Sequence, residues 1–88
     1  MSNLETLPNI GKTLAKKLEL VGINTPEDLK QAGAENAFIK IKTIDETACA
    51  HMLYALEGAI QDVRWHHLPN NRKLELLDFF HNCKEPKP

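Results

Sequence analysis

A chain of 88 residues with a net charge of −1, 42% hydrophobic and 26% charged, has room for one core and is expected to fold as a single domain over residues 1–88. The near-neutral balance excludes binding to nucleic acid by bulk attraction and leaves only local phosphate contacts. No run of about 18 apolar residues is present to cross a bilayer, and "MSNLETLPNI" lacks the basic and apolar parts of a secretion leader, so the expected location is cytoplasmic.

Leu and Ala dominate with few β-branched runs, which predicts an all-α class. From Gly11 to Val21, Leu14, Leu18 and Val21 recur at i, i+4 and i+7 with Ala15 beside them, while Lys12, Lys16 and Glu19 take the opposite face. That is a first helix. Gly22 stands where a glycine ends a helix, and Thr25 as N-cap, Pro26 at the first helical position and the acids Glu27 and Asp28 restart one. This second helix is expected to be short and to end near Gly33, with "AENAFIKIK" a third in which Ala37, Phe38 and Ile41 point inward.

Thr43 with Glu46 three residues later reads as a capping box opening the longest helix, whose face is Cys49, Met52, Leu53, Leu56, Ala59 and Ile60. "VRWHHLPNN" interrupts the pattern, and "RKLELLDFFHN" supplies a last helix through Leu74, Leu76, Leu77, Phe79 and Phe80 before a polar tail over residues 81–88. The expectation is a small bundle of about five helices without β-sheet. Its core is expected to hold Leu14, Leu18, Phe38, Leu53, Leu56 and Leu77.

"LPNIGKTLAKKL" has the layout of a helix–hairpin–helix-like turn, in which backbone amides at the start of a helix are presented to a phosphate. Ile10, Gly11, Ala15 and Leu18 fit that pattern, and Asn9 stands where a first glycine is usual. Asparagine tolerates positive φ better than most residues. Candidate nucleic-acid-binding residues are therefore Asn9, Ile10, Gly11, Lys12 and Thr13, with Lys16 and Lys17 in support. The competing reading is a turn that only packs helices, its lysines forming a solvated face.

The runs "LPNIGKTLAKKLELVGINTPEDLKQAGAENAFIKIK" and "CAHMLYALEGAIQDVRWHHLP" resemble the C-terminal domain of the TfoX/Sxy competence-regulator family over about Leu7 to Leu77. The "LYALEGAI" segment with Trp65 and the following "LP" carries the resemblance most specifically. It implies a helical, helix–hairpin–helix-like fold and a link to bacterial competence or transcription. In that family the domain follows an N-terminal domain or occurs alone, and this chain looks like the stand-alone form. The resemblance brings no catalytic residue with it.

Other clusters point elsewhere than to catalysis. Cys49 with His51, and His81 with Cys83, are two residues apart, so helical geometry turns each pair to opposite sides and no metal site is expected. Cys49 reads as a small core residue and Cys83 as part of a frayed end. Nothing places a base beside an activated thiol, and no paired carboxylates or phosphate loop of the P-loop kind occur. A non-enzymatic module without cofactor or small-molecule substrate is the expectation. Arg64, Trp65, His66 and His67 form a candidate partner surface, with Trp65 also suited to packing over the last two helices. The leading reading is a regulatory protein-interaction domain, and the alternative is a sequence-nonspecific DNA binder that uses the hairpin turn on the DNA backbone.

Overall fold

A computed structural model describes residues 4–84, and side chains as far as Asn82. The described residues are helical throughout their regular elements: α1 (Lys12–Leu20), α2 (Pro26–Lys42), α3 (Ala50–Gln61) and α4 (Asn70–Lys84), with 3₁₀ turns at Leu4–Thr6 and Trp65–His67. None of them is in a strand. α3 lies at the centre, packed on α2 and α4, while α1 and the first 3₁₀ turn close one end.

Local chemistry sets the first two helices. After α1, Ile23 N–H donates to Leu18 O at 2.9 Å and Gly22 N–H to Glu19 O at 3.0 Å, the paired bonds of a Schellman ending, with Gly22 at φ 90°. Leu18 and Ile23, which flank that ending, are both buried. α2 then starts on the Thr25 cap, whose Oγ1 accepts from Asp28 N–H at 3.0 Å, behind Pro26. Four helices replace the expected five, because the segments on either side of Gly33 run on as one element. The break itself is present: Gly33 takes φ 83° and ψ 158° inside α2, a conformation that glycine adopts without a Cβ penalty.

The capping box at Thr43 does not form. Thr43 ends α2, its hydroxyl donating to Lys40 O at 2.6 Å, and residues 43–49 pass as turns before α3 begins at Ala50. α3, at 12 residues, is therefore not the longest helix, since α4 runs for 15 without a break. Cys49 is exposed as the residue preceding α3, so its expected place in the core is corrected. The core holds Leu18, Phe38, Leu53 and Leu56 as expected, with Phe38 meeting Phe80 edge-on at 5.9 Å to join α2 to α4. Leu14 and Leu77 are half-buried, and on α4 it is Leu76 that is fully enclosed. α4 continues through position 83, where a frayed end was expected, and the Cys83 side chain lies outside the described residues. Before the hairpin turn stands only the three-residue 3₁₀ turn, so among the described residues no full helix precedes it.

Candidate functional site

The hairpin turn divides its candidate residues between inside and outside. Asn9 adopts φ 71°, the left-handed region that asparagine tolerates. Ile10 is buried to 6% exposure and its N–H donates to Leu7 O at 3.4 Å, so that residue serves the core. Gly11 precedes α1 with no side-chain cap, leaving the first-turn amides without one. Gly11, Lys12, Thr13 and Lys16 are exposed. A Cβ on Gly11 would meet nothing within 4 Å, and its φ of −98° suits any residue, so packing does not require glycine there. Lys17 is turned away to an ion pair with Asp45 in the α2–α3 connection.

That pair has an acid signature. The hydrogen bond from Lys17, with those from the Thr47 hydroxyl and amide, holds the Asp45 carboxyl from its ordinary 3.8 down to about 2. A carboxylate depressed in the folded state stabilises the fold above its unfolded pKa, and the contribution is lost as pH falls through the folded value. The stability gap between the parent and Lys17→Met is therefore expected to be present at neutral pH and to close as pH falls from about 4 to about 2. Urea titrations at a series of pH values would check this, and a gap independent of pH would contradict it.

Asn9 also does something the sequence does not announce. Its Nδ2 donates to Val63 O at 2.9 Å and its Oδ1 accepts from Trp65 N–H at 3.2 Å, 54 and 56 positions along the chain. One side chain thus ties the hairpin turn to the loop bearing the second candidate cluster. Gly58 in α3 makes room for it, since a Cβ there would lie 2.5 Å from Asn9 Nδ2 and 2.7 Å from Val63 O. Glycine in a helix interior is unfavourable by about 1 kcal/mol relative to alanine, which marks such a close approach.

The loop so held presents an aromatic cluster. Trp65, half-buried, stacks on Tyr54 of α3 at 5.8 Å and on His66 at 4.0 Å, with His51 tilted toward it at 5.5 Å. Lys73 of α4 sets Nζ 5.7 Å from the centre of the Trp65 ring and donates to His66 O at 3.2 Å. Trp65 therefore packs over the last two helices, while Arg64, His66 and His67 remain exposed.

Beneath lies a polar staple that the sequence reading did not single out. Arg72 of α4 donates to Glu57 of α3 at 2.9 Å, Glu35 of α2 at 3.1 Å and Glu75 at 3.1 Å. Glu57 is only 7% exposed. Burial pushes its carboxyl up, but the hydrogen bonds from Arg72 and Gln61 outweigh this and leave it below the ordinary 4.5. Glu57 holds the Arg72 guanidinium proton in turn. A signal for the staple exists: Glu57 shares one helical face with Leu53, Leu56 and Ile60, and a carboxylate in an apolar stripe needs a cation from another element.

Among the described residues no group of three or more His, Cys, Asp or Glu side chains is placed to hold a metal ion. No helix among them is long and apolar enough to cross a membrane. The model of the TfoX C-terminal domain family matches residues 1–80. Two solved structures from Listeria monocytogenes share the fold. An uncharacterized protein in a triclinic form is 47% identical with a TM-score of 0.90, covering 92% of each chain. A protein of unknown function in a tetragonal form is 48% identical with a TM-score of 0.89, covering 91% of this chain and 98% of that one. Among curated proteins none matches.

Proposed function

We propose that this chain, which belongs to the TfoX C-terminal domain family, is a competence-linked regulatory module of the bacterial cytoplasm that docks a protein partner and performs no catalysis. The surface proposed for docking is the Trp65 loop, from Arg64 to His67, with His51, Tyr54 and Lys73 beside it. The observation that carries this reading is the Asn9 bridge. The side chain at the place where a hairpin turn meets phosphate is bonded inward to Val63 and Trp65, so the turn acts as a brace for the exposed loop. Regulatory recognition through residues on a loop held by a rigid scaffold is a common arrangement.

The DNA reading keeps one favourable observation, the exposed and uncapped start of α1 with Lys12, Thr13 and Lys16 around an unobstructed Gly11. Lys17 is paired with Asp45 and Ile10 is enclosed, which leaves two lysines to neutralise phosphate. Lys12→Glu combined with Lys16→Glu separates the readings, because exposed side chains of this kind shift stability by only about 0.5 kcal/mol. Under the docking reading, duplex DNA shows no salt-sensitive retention by parent or double variant, and photocrosslinking in cells gives adducts from position 67 in both. Retention by the parent that falls with salt and is lost in the double variant would replace docking by DNA binding.

A further inference from the structure

The surface around Trp65 has a sign. Between Gln61 and Lys73 the only carboxylate is Asp62, set against Arg64, Arg72 and Lys73 and the two histidines of the loop. Arg72 is turned inward to its three glutamates. Arg64 is exposed, and no carboxylate among the described residues pairs with it. Lys73 binds a carbonyl, His66 O, and an ammonium has three donors, so it retains capacity for an anion. A chain of net charge −1 thus sets two cations, Arg64 of the loop and Lys73 of α4, with no ion-paired acid among the described residues, beside the half-buried indole and the three exposed imidazoles of His51, His66 and His67.

We infer that the partner presents an acidic peptide segment to this surface, its carboxylates meeting Arg64 and Lys73 and its apolar side chains lying against the Trp65–His66 stack. This rests on the docking reading above. Arginine favours a forked carboxylate contact, and charge complementarity of this kind sets partner choice and encounter rate. Single-stranded nucleic acid, the other anionic polymer with a use for aromatic rings, is less well served. Trp65 is already stacked on His66 and Tyr54, so a base would have to displace one of them, and two fixed cations give little phosphate neutralisation.

The chain has one tryptophan, so the emission of Trp65 reports binding at this place directly. The probes are a peptide of alternating glutamate and leucine, its lysine and leucine counterpart, and an oligo-thymidine strand. The expected result is a saturable change in emission with the acidic peptide only, weakened by salt and made about tenfold weaker by Arg64→Glu. Arg64 is exposed, and an unchanged far-ultraviolet circular dichroism spectrum verifies that the variant folds. Lys73→Met gives a second, independent loss. The inference is overturned if the acidic peptide produces no saturable change, if it binds equally well to Arg64→Glu, or if the lysine peptide or the oligonucleotide binds as tightly. Adducts from position 67 alongside silence with every probe would remove the acidic assignment and leave docking standing. Absence of both would remove both.

Discussion

Gly58→Ala is expected to destabilise the domain by about 2–4 kcal/mol, against the usual gain of about 1 kcal/mol from placing alanine in a helix. The sign follows from what surrounds the position. A Cβ would stand 2.5 Å from Asn9 Nδ2, 2.7 Å from Val63 O and 3.2 Å from Trp65 N. The asparagine amide is the soft member of that set, yet moving it breaks its bonds to Val63 and Trp65 and leaves part-buried backbone groups unpaired. Val63 cannot retreat easily either, since its N–H closes the end of α3 on Gly58 O at 2.9 Å. Overpacking and the lost bridge together outweigh the gain in helix propensity. In a domain this small the melting temperature falls by on the order of 10–20 °C.

Asn9→Gly tests the same junction from the other side. Glycine accepts the φ of 71° more readily, worth up to about 1 kcal/mol, but removing two hydrogen bonds to part-buried backbone groups costs more, about 1–3 kcal/mol. Net destabilisation is expected, and the double variant should lose less than the sum of the two single ones, because one clash and one bridge share the same amide. Strict additivity in thermal melts would show that the junction is not where the strain falls.

These positions also show which parts of the fold were legible in the sequence. Gly22, Thr25 and Pro26 act on neighbours within a few residues, so the end of α1 and the start of α2 were readable from the chain alone. The Thr43–Glu46 pattern misled for the same reason: it satisfies a local rule, but the Thr43 hydroxyl turns back to Lys40 and α3 begins after Cys49, which makes no capping bond. On α4, apolar residues at 74, 76, 77, 79 and 80 surround much of the helix, so periodicity alone does not choose Leu76 over Leu77. Packing against the rest of the core does. Asn9 separates the two kinds of information. Its positive φ is a property of the residue and was foreseen, whereas its bonds reach across the molecule. The hairpin and Arg64–His67 clusters, read separately in the sequence, are joined by it.

Arg72→Ala is expected to be the most damaging single change on the polar side of the molecule, at about 3–5 kcal/mol near neutral pH. The loss comes less from the exposed partner Glu75 than from Glu57, whose side chain is 9% exposed and which would keep only Gln61. Burial already pushes that carboxyl upward, and Arg72 is the principal opposing contact, so without it the group takes up a proton more readily. The two proteins therefore respond oppositely to acid at this site. In the parent, the depressed Glu57 contributes stability that fades as pH falls through its folded value, whereas in Arg72→Ala a raised Glu57 is relieved as it protonates. Their stabilities should converge as pH drops from 7 toward 4. Arg72→Lys keeps the charge but not the fork that reaches Glu35, Glu57 and Glu75 from separate nitrogens, so it should recover part of the loss and no more. Chemical denaturation of the three proteins across that pH range is decisive, because a gap that stays constant would mean Arg72 acts through the packing of its stem rather than as the counter-ion that lets α3 carry a buried carboxylate.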